Sequence, residues 1–119
     1  VPVLTALWRY PIKSCRGQAL QAAGLTPKGL PHDREWMVVD EQGLFVTQRT
    51  EGRLALVVPT LTADALCVDA PVARTLVVPL EPAERKVTRT VTVWRDTLEA
   101  LDEGPEAAAW FSALLGRPC

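Results

Sequence analysis

Between Tyr10 and Gly17 the chain reads Tyr-Pro-Ile-Lys-Ser-Cys-Arg-Gly, which places an ammonium, a hydroxyl, a thiol, a guanidinium and turn-type backbone donors within a few positions. That inventory can hold an anionic group through charge-assisted hydrogen bonds. The same types also make an ordinary solvated basic loop, and the segment lacks the Gly-Lys-Ser/Thr pattern of a phosphate loop. Cys15 lies close to Lys13 and Arg16, which would favour its thiolate, but no histidine is near in sequence and a single cysteine more often packs as a small apolar residue. His32 beside Asp33 has the look of a base with its orienting partner, yet no paired nucleophile follows, and a structural role is the better account. Thr47-Gln48-Arg49 with Arg53 forms a second polar cluster. A surface turn whose arginine stems cover apolar area is the better account of it. No catalytic set and no metal-ligand set emerges.

The elements that must position these residues are mostly strands. Val3 to Tyr10 is apolar and β-branched and runs into Pro11, so we read a strand ending there. Gln18 to Leu25 resumes a modest strand before the Pro27-Lys28-Gly29 breaker. From His32 to Asp40 alternation puts His32, Arg34, Trp36 and Val38 on one face and Asp33, Glu35, Met37 and Val39 on the other. Asp40-Glu41-Gln42-Gly43 is a turn leading to Leu44–Thr47, a hairpin. Further short strands fit Leu54–Leu61, Leu66–Asp69 and Thr75–Val78. Lys86–Arg95 is the longest candidate. After Asp102 the period changes: Ala107, Trp110, Phe111, Leu114 and Leu115 follow helical spacing, with Pro105 in the first turn and Gly116 as the stop. The pattern predicts a mainly β fold, a small antiparallel β-barrel with one C-terminal α-helix over Pro105 to Leu115. Trp36, Trp94 and Trp110 are expected in the core, Trp94 and Trp110 largely buried, with Lys13 and Arg34 near one rim.

The whole of 1–119 reads as a single domain. Its 48% hydrophobic and 23% charged composition supplies one core, with no low-complexity tract. Thirteen Lys and Arg against 14 Asp and Glu leave a net charge of -1, which provides no field for a nucleic-acid backbone. No apolar run is long enough to span a bilayer. Cys15, Cys67 and Cys119 are odd in number and widely spaced, which argues against a disulfide framework or zinc site and fits a reducing cytoplasm. The close at Gly116-Arg117-Pro118-Cys119 is the kind of stop expected between two elements, so we expect a piece of a longer two-domain chain.

Four segments together resemble the N-terminal β-barrel domain of MOSC (molybdenum cofactor sulfurase C-terminal) proteins, the group that includes the amidoxime-reducing mitochondrial proteins and bacterial relatives. They are Leu7–Gly17, Gly29–Val39 with its Asp-Arg-x-Trp, Gly43–Arg49, and Asp102–Phe111. In that family a molybdopterin cofactor lies between this barrel and a following MOSC domain that supplies the cysteine ligand to molybdenum. The resemblance implies that Lys13 and Ser14 contact the cofactor's phosphate and pterin region, that Arg34 adds a basic contact, and that Arg49 is a fourth cofactor-binding residue. It implies that Cys15 is not the metal ligand. The chain departs from the family where Glu51-Gly52-Arg53-Leu54 replaces a more usual Pro-containing segment, which bears on Arg49 and Arg53. The expectation is a module of a molybdenum-dependent oxidoreductase that supports the cofactor and forms one wall of the substrate site. By itself it would not be catalytic and would hold no tightly bound cofactor. Its partners would be the C-terminal MOSC domain of the same parent chain and an electron-transfer protein, with neither nucleic acid nor membrane. The competing reading is a stand-alone barrel that binds an acidic partner through Lys13, Arg16 and Arg34.

Overall fold

The computed structural model describes residues 1–81 and 86–119. Two short strands open the chain, β1 (Trp8–Arg9) and β2 (Gln18–Ala19), paired antiparallel. The predicted Val3–Tyr10 strand shrinks to this two-residue pair, because Val3 and Leu4 find no apolar face to cover and stay exposed. A 3-10 helix at Gly52–Leu56 precedes β3 (Val58–Leu61), β4 (Ala65–Asp69) and β5 (Leu76–Pro79), a three-stranded antiparallel meander. Two six-residue strands, β6 (Thr88–Val93) and β7 (Asp96–Leu101), form a hairpin, and α1 (Pro105–Leu115) ends the order. The fold is mainly β, antiparallel, with one C-terminal helix, as the sequence periodicity implies.

Alternation builds the core. Leu66 and Val68 of β4 face inward opposite Val78 and Leu76 of β5, while Val77 and Pro79 point out. Ile12, Cys15, Val38, Val46, Leu54, Val57 and Leu115 complete the buried cluster, with Ala107, Trp110, Phe111 and Leu114 of α1 packed on it. Pro59 is accommodated because β3 lies at an edge, where a missing donor costs no ladder bond. The helix starts at Pro105, whose absent N–H would be unpaired in any case, and stops at Gly116 with φ +65°. Arg53 closes that end: its guanidinium donates to the carbonyls of Leu114 (3.3 Å) and Leu115 (2.7 Å). Arg53 is therefore a helix cap, engaged with the last-turn carbonyls that no backbone donor reaches.

Among the described residues the strands form three separate sheets. The β6–β7 hairpin is tied to the rest through Gly43–Phe45: Thr92 N donates to Gly43 O (2.8 Å) and Phe45 N to Thr92 O (3.0 Å). An open cleft of about 1680 Å³ separates the hairpin from β4, β5 and α1. The Cα radius of gyration of 14.8 Å accordingly exceeds the ~13.5 Å typical of this length.

Further sequence expectations are corrected: the strand expected over Gln18–Leu25 keeps only Gln18–Ala19, and that over Leu54–Leu61 starts at Val58, its first residues lying in the 3-10 helix. His32–Asp40 is no continuous strand: His32 (φ +61°) and Arg34 (φ +50°) break the period, leaving single bridges at Trp36 and Val39. The strand expected over Lys86–Arg95 ends at Val93, because Trp94 and Arg95 form the turn between the paired Val93 and Asp96. Trp94 is consequently 62% exposed at the tip of a hairpin, outside the core, whereas Trp110 is half-buried and donates to Arg74 O at 2.7 Å.

Gly43 is the backbone hinge on which the hairpin hangs. It holds φ +80°, and a Cβ there would lie 2.5 Å from Thr90 O. Gly43→Ala is expected to destabilise the chain by roughly 2 to 4 kcal/mol through clash and left-handed strain together. An unchanged urea midpoint would contradict this placement of the hairpin.

Candidate functional site

The Tyr10–Arg16 loop is stitched to Arg34–Trp36 by main-chain bonds. Arg34 N donates to Tyr10 O (2.6 Å), Trp36 N to Pro11 O (3.1 Å) and Lys13 N to Trp36 O (2.8 Å), and Ile12 bridges Trp36 in parallel. Pro11 contributes only an acceptor here, and it is buried. Cys15 N returns to Ile12 O (3.1 Å) and Arg16 N reaches Val57 O (2.9 Å), closing the loop on the core. Ser14 sits at φ +69° in the resulting bend.

Lys13 and Arg34 both line the cleft, as does His32, with Arg34 opposite Tyr10 and Lys13 three positions further along the ladder. The Lys13 ammonium stands 4.8 Å from the Phe45 ring centroid and 5.4 Å from that of Trp94. Both separations are within cation–π range. Arg34 stacks on Tyr10 with Cζ 4.6 Å from the centroid and pairs with Asp33. Tyr10 in turn lies across Gly17, where a Cβ would stand 2.9 Å from the ring. Ser14 O accepts from Gln48 Nε2 at 2.7 Å, so the turn carrying the exposed Arg49 is held beside Ser14. All four candidate residues thus fall on three neighbouring segments. Lys13 enters none of the ion pairs among the described residues.

Other candidates resolve as structural. Cys15 is buried in the core cluster, and burial pushes its thiol up to about 12, so it is neither a nucleophile nor a ready metal ligand. His32 Nδ1 contacts Glu35 Oε2 at 2.9 Å, and its ring stacks on Trp36. Asp33 is not its orienter: Asp33 accepts from Tyr10 N at 2.8 Å and from Arg34. Glu103 is a positioning residue that sequence reasoning missed. Its Oε1 accepts from Trp36 Nε1 (2.9 Å) and from Lys86 Nζ (2.7 Å), anchoring the site strand to the approach of the helix. Only the Asp-Glu-Gly-Pro segment hinted at it, since the contact spans 67 positions. No group of three or more His, Cys, Asp or Glu able to hold a metal occurs among the described residues.

The arrangement suits the negatively charged end of a ligand. It offers one ammonium that enters no ion pair among the described residues, one guanidinium that spends part of its fork on Asp33, and the tight bend at Ser14.

Comparisons with known proteins bear on the family of the chain. The family model described as the MOSC N-terminal beta barrel domain matches residues 1–118. The chain is 37% identical over 121 residues to molybdenum cofactor sulfurase of Danio rerio, covering 98% of this chain and 15% of that protein. It is 35% identical over 119 residues to mitochondrial amidoxime-reducing component 1 of Mus musculus, covering 97% of this chain and 35% of that one. A Bordetella bronchiseptica protein solved in solution superposes with a TM-score of 0.62 at 30% identity, over 80% of each chain. The chain therefore spans only a minor part of these two curated relatives.

Asp33 carries a testable consequence. Burial raises its pKa, but the Tyr10 N–H and the Arg34 and Arg9 guanidiniums outweigh burial and hold the carboxyl below its ordinary 3.8. A depressed folded value means that its stabilisation is present above the ordinary value and lost as pH falls through the folded one. The Tyr10 amide shift, followed by NMR, is expected to titrate with a midpoint below 3.8, and Asp33→Asn should abolish the transition. Asp102, lowered by Gly104 N–H and Arg89, shares the acid limb of global stability, which is why a residue-specific signal is needed. A midpoint at or above 3.8 would contradict the geometry.

Proposed function

The chain belongs to the MOSC N-terminal beta barrel domain family, and from that membership we propose that it is the cofactor-supporting module of a molybdenum-dependent oxidoreductase. In this reading Lys13, Ser14 and Arg34, with Arg49 at the margin, contact the phosphate and pterin part of a molybdopterin, and the cleft edge forms one wall of the substrate site. The observation that supports it best is the ladder that carries both Lys13 and Arg34 into the lining of the cleft, with Lys13 in none of the ion pairs among the described residues. The residues fit a cofactor's anionic end and not its metal, because the Cys15 thiol is buried and protonated.

When bound, the cofactor supplies the redox chemistry of the molybdenum centre. The chain's own residues bind and orient: Lys13 as a point charge, Arg34 as a planar fork held by Tyr10 and Asp33, and Ser14 through its hydroxyl and the bend it occupies. The MOSC domain that follows in the parent chain supplies the metal ligand and the exclusion of water, an electron-transfer protein supplies reducing equivalents, and N-hydroxylated compounds are the substrate class that the named relatives suggest. Neither nucleic acid nor a membrane enters this reading. No helix among the described residues is long and apolar enough to cross a bilayer. We place the module in the reducing cytoplasm, a setting supported by three free cysteines, although relatives include proteins named mitochondrial.

A second reading, a stand-alone barrel that binds an acidic partner through the same cations, has one observation in its favour. The Bordetella relative is matched over 80% of its own chain, so a polypeptide of about this length exists in that fold.

The two readings separate on molybdenum content per polypeptide, measured for the full-length parent protein, its Lys13→Ala and Arg34→Ala variants, and this chain, all under one expression condition. Each charge-assisted contact contributes about 1.5 to 3 kcal/mol, so either variant should bind the cofactor roughly ten- to a hundredfold more weakly and retain less metal. This chain alone should hold little, since a half-site open to water leaves small net affinity. Full occupancy in both variants, or stoichiometric metal on the chain alone, would overturn the assignment.

A further inference from the structure

Trp94 is the residue whose placement the fold does not require. It occupies the first position of the two-residue turn between Val93 and Asp96, at φ +55°. Such positions ordinarily take glycine, asparagine or aspartate, because a bulky side chain is strained there. The ring is 62% exposed, so core burial does not repay the strain. Strained, exposed aromatics held by surrounding structure cluster at functional sites.

The surroundings show what the ring does. The parallel bridge between Leu44 and Thr92 carries Phe45 to the hairpin tip, where its ring meets Trp94 with centroids 4.9 Å apart and planes at 57°. Above this pair lies the Lys13 ammonium, 4.8 Å and 5.4 Å from the two centroids. The Lys13 main chain is fixed by its bond to Trp36, but its stem has several free torsions, and that freedom must be given up whenever the ammonium grips a ligand. Two electron-rich faces below the ammonium remove the freedom in advance without neutralising the charge, which a carboxylate partner would do.

We propose that Phe45 and Trp94 form an aromatic clamp that positions the Lys13 ammonium for a phosphate-type anion, and that Trp94 is a positioning residue of this site. The inference rests on reading Lys13 as an anion contact. The clamp makes three segments distant in sequence, the Lys13 loop, the Phe45 strand and the β6–β7 turn, one functional unit. It also accounts for a tryptophan at a glycine-type position.

The test is NMR on this chain, with inorganic phosphate as the probe. In the wild type the Lys13 ε-methylene protons are expected upfield of free lysine from the two ring currents. Trp94→Phe should keep much of that shift, whereas Trp94→Leu, which fills the space without a π face, and Trp94→Gly, which relieves the backbone, should remove the Trp94 share while the chain stays folded. Phosphate affinity, read by shift titration, should fall about three- to tenfold in Trp94→Leu and be largely restored in Trp94→Phe. An unshifted Lys13 ε-methylene in the wild type, or equal phosphate affinity in Trp94→Leu and wild type, overturns the clamp. Lys13→Ala separates the two claims: if it leaves phosphate affinity unchanged, the anion-contact reading of Lys13 fails, and the ring-current result still decides the clamp.

Discussion

The backbone ladder between the Tyr10–Lys13 loop and Arg34–Trp36 is the constraint on which the rest depends. Three hydrogen bonds, from Arg34 to Tyr10, from Trp36 to Pro11 and from Lys13 to Trp36, align two segments more than twenty positions apart. Once they are aligned, Ile12 and Cys15 drop into the core, and Lys13 and Arg34 both line the cleft. The ladder is then braced from three sides. Asp33 accepts from Tyr10, Gln48 donates to Ser14, and Glu103 holds Trp36 together with Lys86. A cation site built this way is positioned by main chain and needs only short side-chain adjustments to meet a ligand.

The same region concentrates backbone strain. Of the five non-glycine residues at positive φ among the described residues, four, Ser14, His32, Arg34 and Trp94, belong to the site or adjoin it, and Val72 lies elsewhere. Each such residue costs on the order of 1 to 3 kcal/mol, offset by packing in the β3–β4–β5 meander and α1. Most of the fully buried residues, Leu54, Val57, Pro59, Leu66, Val68 and Leu115, belong to the 3-10 helix and the residue after it, the meander and the C-terminal helix, with Pro11 of the ladder added, while the N-terminal ladder and the β6–β7 hairpin also carry exposed aromatic groups.

Elements whose signals are local were legible in the sequence. The helix over Pro105–Leu115 follows from a change of period bounded by proline and glycine, and β4 and β5 follow from alternation. The loop of the candidate site was legible as a concentration of donor types, and Lys13 and Arg34 both line the cleft. What stayed hidden depends on contacts across long separations or on residues in conformations their type disfavours. The Trp94–Arg95 turn carries no glycine or asparagine, so the strand read on to Arg95, β7 went unread and Trp94 read as core. Arg53 could not be read as a cap for carbonyls some sixty positions away, nor Glu103 as the acceptor for Trp36. Positive φ at His32 and Arg34 defeated an alternation that looked regular.

The central claim is that this ladder builds one anion-binding edge from Lys13, Ser14 and Arg34. Amide shift mapping of the isotopically labelled chain against a phosphate monoester tests it most directly. The account predicts saturable shifts confined to the Ile12–Arg16, Asp33–Trp36 and Thr47–Arg49 segments and to the Phe45–Trp94 contact. Shifts spread over unrelated basic positions such as Arg74, Arg89 and Arg117, with the ladder amides unmoved, would contradict it.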